Sequence, residues 1–101
     1  MEDHSRSVNL FAERGETSRF VSAEITEDED LVVSGHDIGK DPQTFFGDGD
    51  YEFWLVVHKE EKDLVLLALL EALYGGHFSA VDELRDYLNA KNIQYDWQVW
   101  S

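Results

Sequence analysis

Cysteine is absent from this 101-residue chain, which excludes disulfides and thiolate metal sites. Proline occurs once, at Pro42. The longest apolar run covers residues 64–70. A membrane-spanning helix needs about 20 apolar residues, so no membrane role is expected. The start, Met1-Glu2-Asp3-His4-Ser5-Arg6, lacks the basic-then-apolar pattern of a secretion signal. A cytoplasmic protein is the expectation. Basic residues are scarce: 8 Lys and Arg stand against 22 Asp and Glu, a net charge of −14. Binding nucleic acid through phosphates needs cations, so nucleic acid is not an expected partner.

What is present is a well-patterned apolar complement. The chain is 43% hydrophobic and 13% aromatic, unlike disordered acidic tails, which are poor in both. A folded domain with this charge favours basic partners. The acid is uneven. Residues 1–58 hold 14 acids and 4 bases, and residues 59–101 hold 8 and 4.

Residues 1–6 are polar and read as a frayed N-terminus, with a single domain over 7–101. Period-two alternation predicts strands over 7–13, 19–26 and 31–36. In the first, Val8, Leu10 and Ala12 oppose Asn9, Phe11 and Glu13. The acidic connector Glu27-Asp28-Glu29-Asp30 is too charged for a core. Residues 35–50 hold four of the seven glycines and read as a loop, with one short helical turn capped by Asp41 ahead of Pro42. Phe45 and Phe46 are expected to tuck this loop onto the core. Residues 51–58 form the strongest strand, apolar on both sides and therefore expected to be central. Tyr51, Phe53, Leu55 and Val57 share one face, with Trp54 and Val56 on the other.

Helical spacing follows. Glu60, Glu61 and Asp63 sit where negative charge suits a helix start, and Gly75-Gly76 is a stop. Leucines on two sides of this helix predict burial on two sides. Ser79 opens a second helix that ends at Lys91-Asn92, with Asp82 as a weak capping-box partner. Residues 93–100 alternate again and predict a final strand. The expected fold is α+β, a mostly antiparallel sheet of about five strands with two helices on one face, in the order β-β-β-β-α-α-β.

The run VSAEITEDEDLVVSGHDIGKDPQTFFGDGDYEFWLVV, then LLALLEALYGG, FSAVDEL and an aromatic end, resembles a family of short acidic bacterial proteins of unassigned function. The resemblance covers residues 10–100. It implies no catalytic residue. Some small acidic bacterial domains are immunity proteins that neutralise toxins, an analogy of size and charge.

Two candidate sites emerge. The first is an open sheet face carrying Trp54, Val56 and Trp100 with Glu52, Asp96 and His58. Tryptophan is favoured at interface hot spots, and acids around it suit a basic partner. This points to a non-enzymatic protein-binding domain, in its concrete form an immunity-like inhibitor of a basic toxin domain. Self-association as a homodimer is the alternative use of the same apolar surface. The second candidate is a small metal-dependent or acid–base enzyme using His36 and Asp37 with the loop acids Asp48, Asp50 and Glu52. The loop falls short of a calcium signature, because no bidentate Glu stands at its twelfth position. No nucleophile or phosphate loop accompanies the histidines. No cofactor, metal ligand or catalytic residue is assigned.

Overall fold

The computed structural model of the chain describes residues 6–39 and 50–100. The chain divides into two compact units inside its first helix, Met1–Val65 and Leu66–Ser101. The expected fraying of residues 1–5, the helical turn at Pro42, Phe45, Phe46 and Asp48 all lie outside the described residues.

The first unit is an antiparallel meander of β1 (Ser7–Glu13), β2 (Thr17–Ile25), β3 (Leu31–Gly39) and β4 (Asp50–Val57), in the spatial order β1-β2-β3-β4. Short connections favour this order, because consecutive strands pair at the least loop-closure cost. Residues directly opposite share a face. Phe20 opposes His36, which opposes Glu52, and Ser22 opposes Ser34, which opposes Trp54. The other face carries Val21, Ala23 and Ile25 on β2, Leu31 and Val33 on β3, and Phe53, Leu55 and Val57 on β4. One face is thus mixed polar and aromatic, and the other is apolar from Val21 to Ile25 and charged toward Glu13, Arg19 and Asp37. Among the described residues only Gly35 is buried, and the apolar face is half-buried on β2 and β3.

Two expectations are corrected in this unit. β4 is an edge strand, not the central one. Apolarity on both sides of a strand reports what it can bury, not its place in the pairing order. In β1 the register shifts between Asn9 and Phe11, so Leu10 is an extra, bulged residue. The bulge moves Phe11 and Glu13 onto the face of Val8, and Ala12 onto that of Asn9. Beside β1, the Arg6 carbonyl accepts the Ile25 N–H at 2.8 Å and its guanidinium meets Glu29 at 3.0 Å.

The acidic β2–β3 turn is built by hydrogen bonds. The Thr26 and Glu29 N–H groups donate to the carbonyls of Asp30 and Thr26, each at 2.9 Å, and the Asp30 N–H donates to Thr26 Oγ1 at 3.1 Å. Glu29 adopts φ 70°, the left-handed position that completes a three-residue hairpin loop. The turn reaches the start of α1 (Lys59–Tyr74). Asp30 Oδ1 accepts the Lys59 N–H at 2.8 Å, and Lys62 Nζ donates to the Glu29 carbonyl at 2.6 Å. An acid of the turn therefore caps the helix, satisfying a donor with no partner within the helix.

In the second unit α1 ends at Gly75-Gly76, where Gly76 takes φ 83° and glycine carries no penalty. The helix α2 (Ala80–Ala90) begins after Ser79, whose side chain makes no capping bond. Instead the Ser79 hydroxyl donates to Glu83 at 2.8 Å, and His77 Nδ1 lies 3.0 Å from the same carboxylate. The C-terminus of α2 is a Schellman motif. Asn92 sits at φ 58°, its N–H donates to the Asn89 carbonyl, and the Ile93 N–H donates to the Leu88 carbonyl.

Residues 93–100 form no strand, so the described residues hold four strands rather than about five, in the order β-β-β-β-α-α. Two of their aromatic residues meet α2 instead of a ladder. The Tyr95 hydroxyl donates to Asn89 Oδ1 at 2.9 Å, and the Trp97 ring lies 3.9 Å from the Arg85 guanidinium. A period-two pattern states which residues share a side, not what that side meets.

Candidate protein-binding face

The mixed face of the sheet forms a shallow groove of about 350 Å³. Its floor is polar: the Ser22 and Ser34 hydroxyls meet at 3.4 Å, beside Asn9. Its walls are aromatic. Trp54 on β4 is 62% exposed, and Phe20 on β2 lies under the Arg14 guanidinium at 5.0 Å. Glu52, two residues before Trp54, adds its carboxylate on the same face.

His36 projects from β3 into this face. Its Nε2 lies 3.7 Å from Glu52 and 3.9 Å from Asp50, too far for a hydrogen bond. That nitrogen is shielded from solvent and has no hydrogen-bond partner among the described residues. Asp37, its neighbour in sequence, points to the opposite face. There it takes two hydrogen bonds from Arg19, each 2.7 Å, which hold its carboxyl below the usual carboxylate range. The pairing of His36 with Asp37 is thus divided by the pleat, while His36 with Glu52 and Asp50 is brought together. Asp48 lies outside the described residues.

Of the five residues expected to meet a partner, Trp54 and Glu52 share this face. His58 follows β4 and turns to the acidic hairpin, with Nδ1 3.5 Å from Asp30 Oδ2. Trp100, 95% exposed, and Asp96 belong to the C-terminal segment of the second unit. Phe20, Arg14 and Asn9 were not foreseen as part of the face. The signal for them lay in the register: positions 18, 20 and 22 of β2 align with 38, 36 and 34 of β3. Residue pairing across strands is not readable from one strand's own alternation.

Among the described residues no group of three or more His, Asp or Glu could hold a metal ion, and no helix is long and apolar enough to cross a membrane. Compared with protein-family models, with curated proteins and with solved structures, the chain matches none.

Proposed function

We propose that this chain is a non-enzymatic acidic domain that binds a basic protein through the Trp54 face. The observation that carries the reading is Trp54 itself. It is a large aromatic left mostly exposed on a strand, flanked by Glu52 and by a groove with a polar floor. A tryptophan anchor beside an acid suits a partner that presents an apolar pocket next to a lysine or arginine. The net charge of −14 adds long-range attraction and speeds encounter. The concrete version is an immunity-like inhibitor that blocks a basic toxin domain in the cytoplasm. That version rests on size and charge.

Affinity capture with wild-type and Trp54→Ser baits, at low and high salt, tests the reading. The expected result is a basic protein retained by wild type, lost with Trp54→Ser and weakened by salt. Capture of the same protein by both baits would overturn it.

A further inference from the structure

We infer that the Trp54 face receives an arginine side chain of the basic partner, its guanidinium stacked on the indole and its N–H groups donating to Glu52. This rests on the Trp54 face being the binding surface and names what that surface takes. The chain uses the same chemistry on its own rings. The guanidinium groups of Arg14, Arg19 and Arg85 lie 5.0, 5.7 and 3.9 Å from the rings of Phe20, Phe53 and Trp97, and Lys91 Nζ lies 5.7 Å from Tyr87. Arg19 shows the full arrangement on the opposite face of the sheet. It stands over Phe53 while donating two 2.7 Å bonds to the Asp37 carboxylate. The groove face holds a ring and an acid of the same kind without the arginine. Trp54 is 62% exposed, and among the described residues no cation lies over it. Of the aromatic side chains, tryptophan attracts a cation most strongly.

Glu52 stands two residues before Trp54 on the same side of β4, about 7 Å along the strand. It makes no hydrogen bond, and no ion pair with lysine or arginine, among the described residues. Its nearest basic neighbour is His36 Nε2 at 3.7 Å, beyond hydrogen-bond distance. A guanidinium fits this ring and acid better than an ammonium does. It is flat, so one face covers the indole while its edge donates to the carboxylate. An ammonium is a strongly hydrated point charge with no face to stack. The Ser22 and Ser34 hydroxyls and Asn9 on the groove floor offer further acceptors. Arg14 is the only cation among the described lining residues, and it sits over Phe20 on β2. Two strand spacings, roughly 10 Å, separate β2 from β4. That exceeds the Debye length of about 8 Å at physiological salt, so repulsion from Arg14 is largely screened.

Three capped tripeptides test this, each with glycine on both sides of a central arginine, lysine or citrulline. Citrulline keeps the planar end of arginine and lacks its charge. Nuclear magnetic resonance follows the Trp54 indole N–H, assigned by its loss in Trp54→Phe, and the backbone amides of Ser22 and Ser34. The arginine peptide should give a saturable shift, the lysine peptide should bind more weakly, and the citrulline peptide should give none. Glu52→Gln and Trp54→Leu, each checked for folding by circular dichroism, should weaken arginine binding by about two- to five-fold. Trp54→Phe, which keeps a ring, should lose less than Trp54→Leu. Three results would overturn the inference: no saturable shift with the arginine peptide, equal shifts with arginine and citrulline, or unchanged affinity in Glu52→Gln. The broader reading of this face fails separately, when a Trp54→Ser bait still captures the basic protein. Loss of that capture with peptides that do not discriminate would overturn the arginine alone.

Discussion

The far end of the Phe53 ring lies over Gly35 on the neighbouring strand, and a Cβ at position 35 would overlap it. Tyr51 stacks beside the ring at 5.3 Å between centroids, and the Arg19 guanidinium stands 5.7 Å above it. Glycine in a strand weakens the strand unless something covers the exposed backbone. Here the cover is an aromatic ring from the opposing position, which makes Gly35 the one buried residue among those described.

Gly35→Ala should therefore destabilise, although alanine is ordinarily the better strand residue. Phe53→Ala should cost about 2–3 kcal/mol, below the 3–5 typical of a fully buried ring, because Phe53 is only half-buried. Glu52→Ala, one residue away on the other face, should stay within about 0.5 kcal/mol. Urea unfolding of the three variants measures this. Equal costs at Phe53 and Glu52 would show that the ring does not stabilise the sheet.

The four acids of the β2–β3 turn should separate into two pairs. Asp30 caps α1 through the Lys59 N–H, so Asp30→Ala should cost about 1 kcal/mol, and Asp30→Asn less. Glu27 and Asp28 form no ion pair among the described residues, and neutralising them relieves like-charge crowding. Glu27→Gln with Asp28→Asn should leave the melting temperature equal or higher. Thermal melts at low and high salt compare the sets, and equal behaviour of all four positions would refute the capping role.

Acidification should act through Arg19 and Asp37. The hydrogen bonds from Arg19 depress the Asp37 carboxyl in the folded state relative to the unfolded chain. Such a group contributes stability above its unfolded value, and that contribution is lost as pH falls through the depressed folded value. Glu29, held by Arg6, and Glu83, held by His77, shift in the same direction. Protonating the many other acids relieves self-repulsion and opposes this loss, so the informative quantity is a difference. Urea midpoints of wild type and Arg19→Gln should converge as pH falls below the ordinary carboxylate range of about 4. A gap that stays constant with pH would mean that the pair contributes nothing.

Asn92 closes α2 in the left-handed conformation, where asparagine and glycine are tolerated and other residues are strained. Asn92→Ala should lower stability by about 1 kcal/mol, and Asn92→Gly should keep most of it. The change should also reach Trp97, since the chain leaving the cap carries that ring to Arg85. A red shift of tryptophan emission in a Trp54→Phe, Trp100→Phe background, where Trp97 is the sole tryptophan, would report it. An unchanged spectrum in Asn92→Ala would separate the cap from the placement of the ring.

Much of the local structure was legible because periodicity is a local property. The alternation of Val21, Ala23 and Ile25, and of Tyr51, Phe53, Leu55 and Val57, determines which residues share a face of the sheet. Acids at the start of α1 and Gly75-Gly76 at its end bound a helix from residue types alone. The charge excess and the lack of cysteine are likewise properties of the chain itself. Tertiary structure decided what each segment meets. Residues 93–100 alternate like a strand, yet Tyr95 hydrogen-bonds Asn89 and Trp97 meets the Arg85 guanidinium on α2, because a polar tip and a ring face can be met by a helix as well as by a strand. β4 reads as central from its two apolar sides and stands at an edge, because pairing order follows chain connection. The extra residue at Leu10 inverts the faces of β1, since a shift of one residue sends the rest of a strand to the other side. Asp30 reads as one more surface acid, and only the approach of Lys59, 29 residues later, makes it a helix cap.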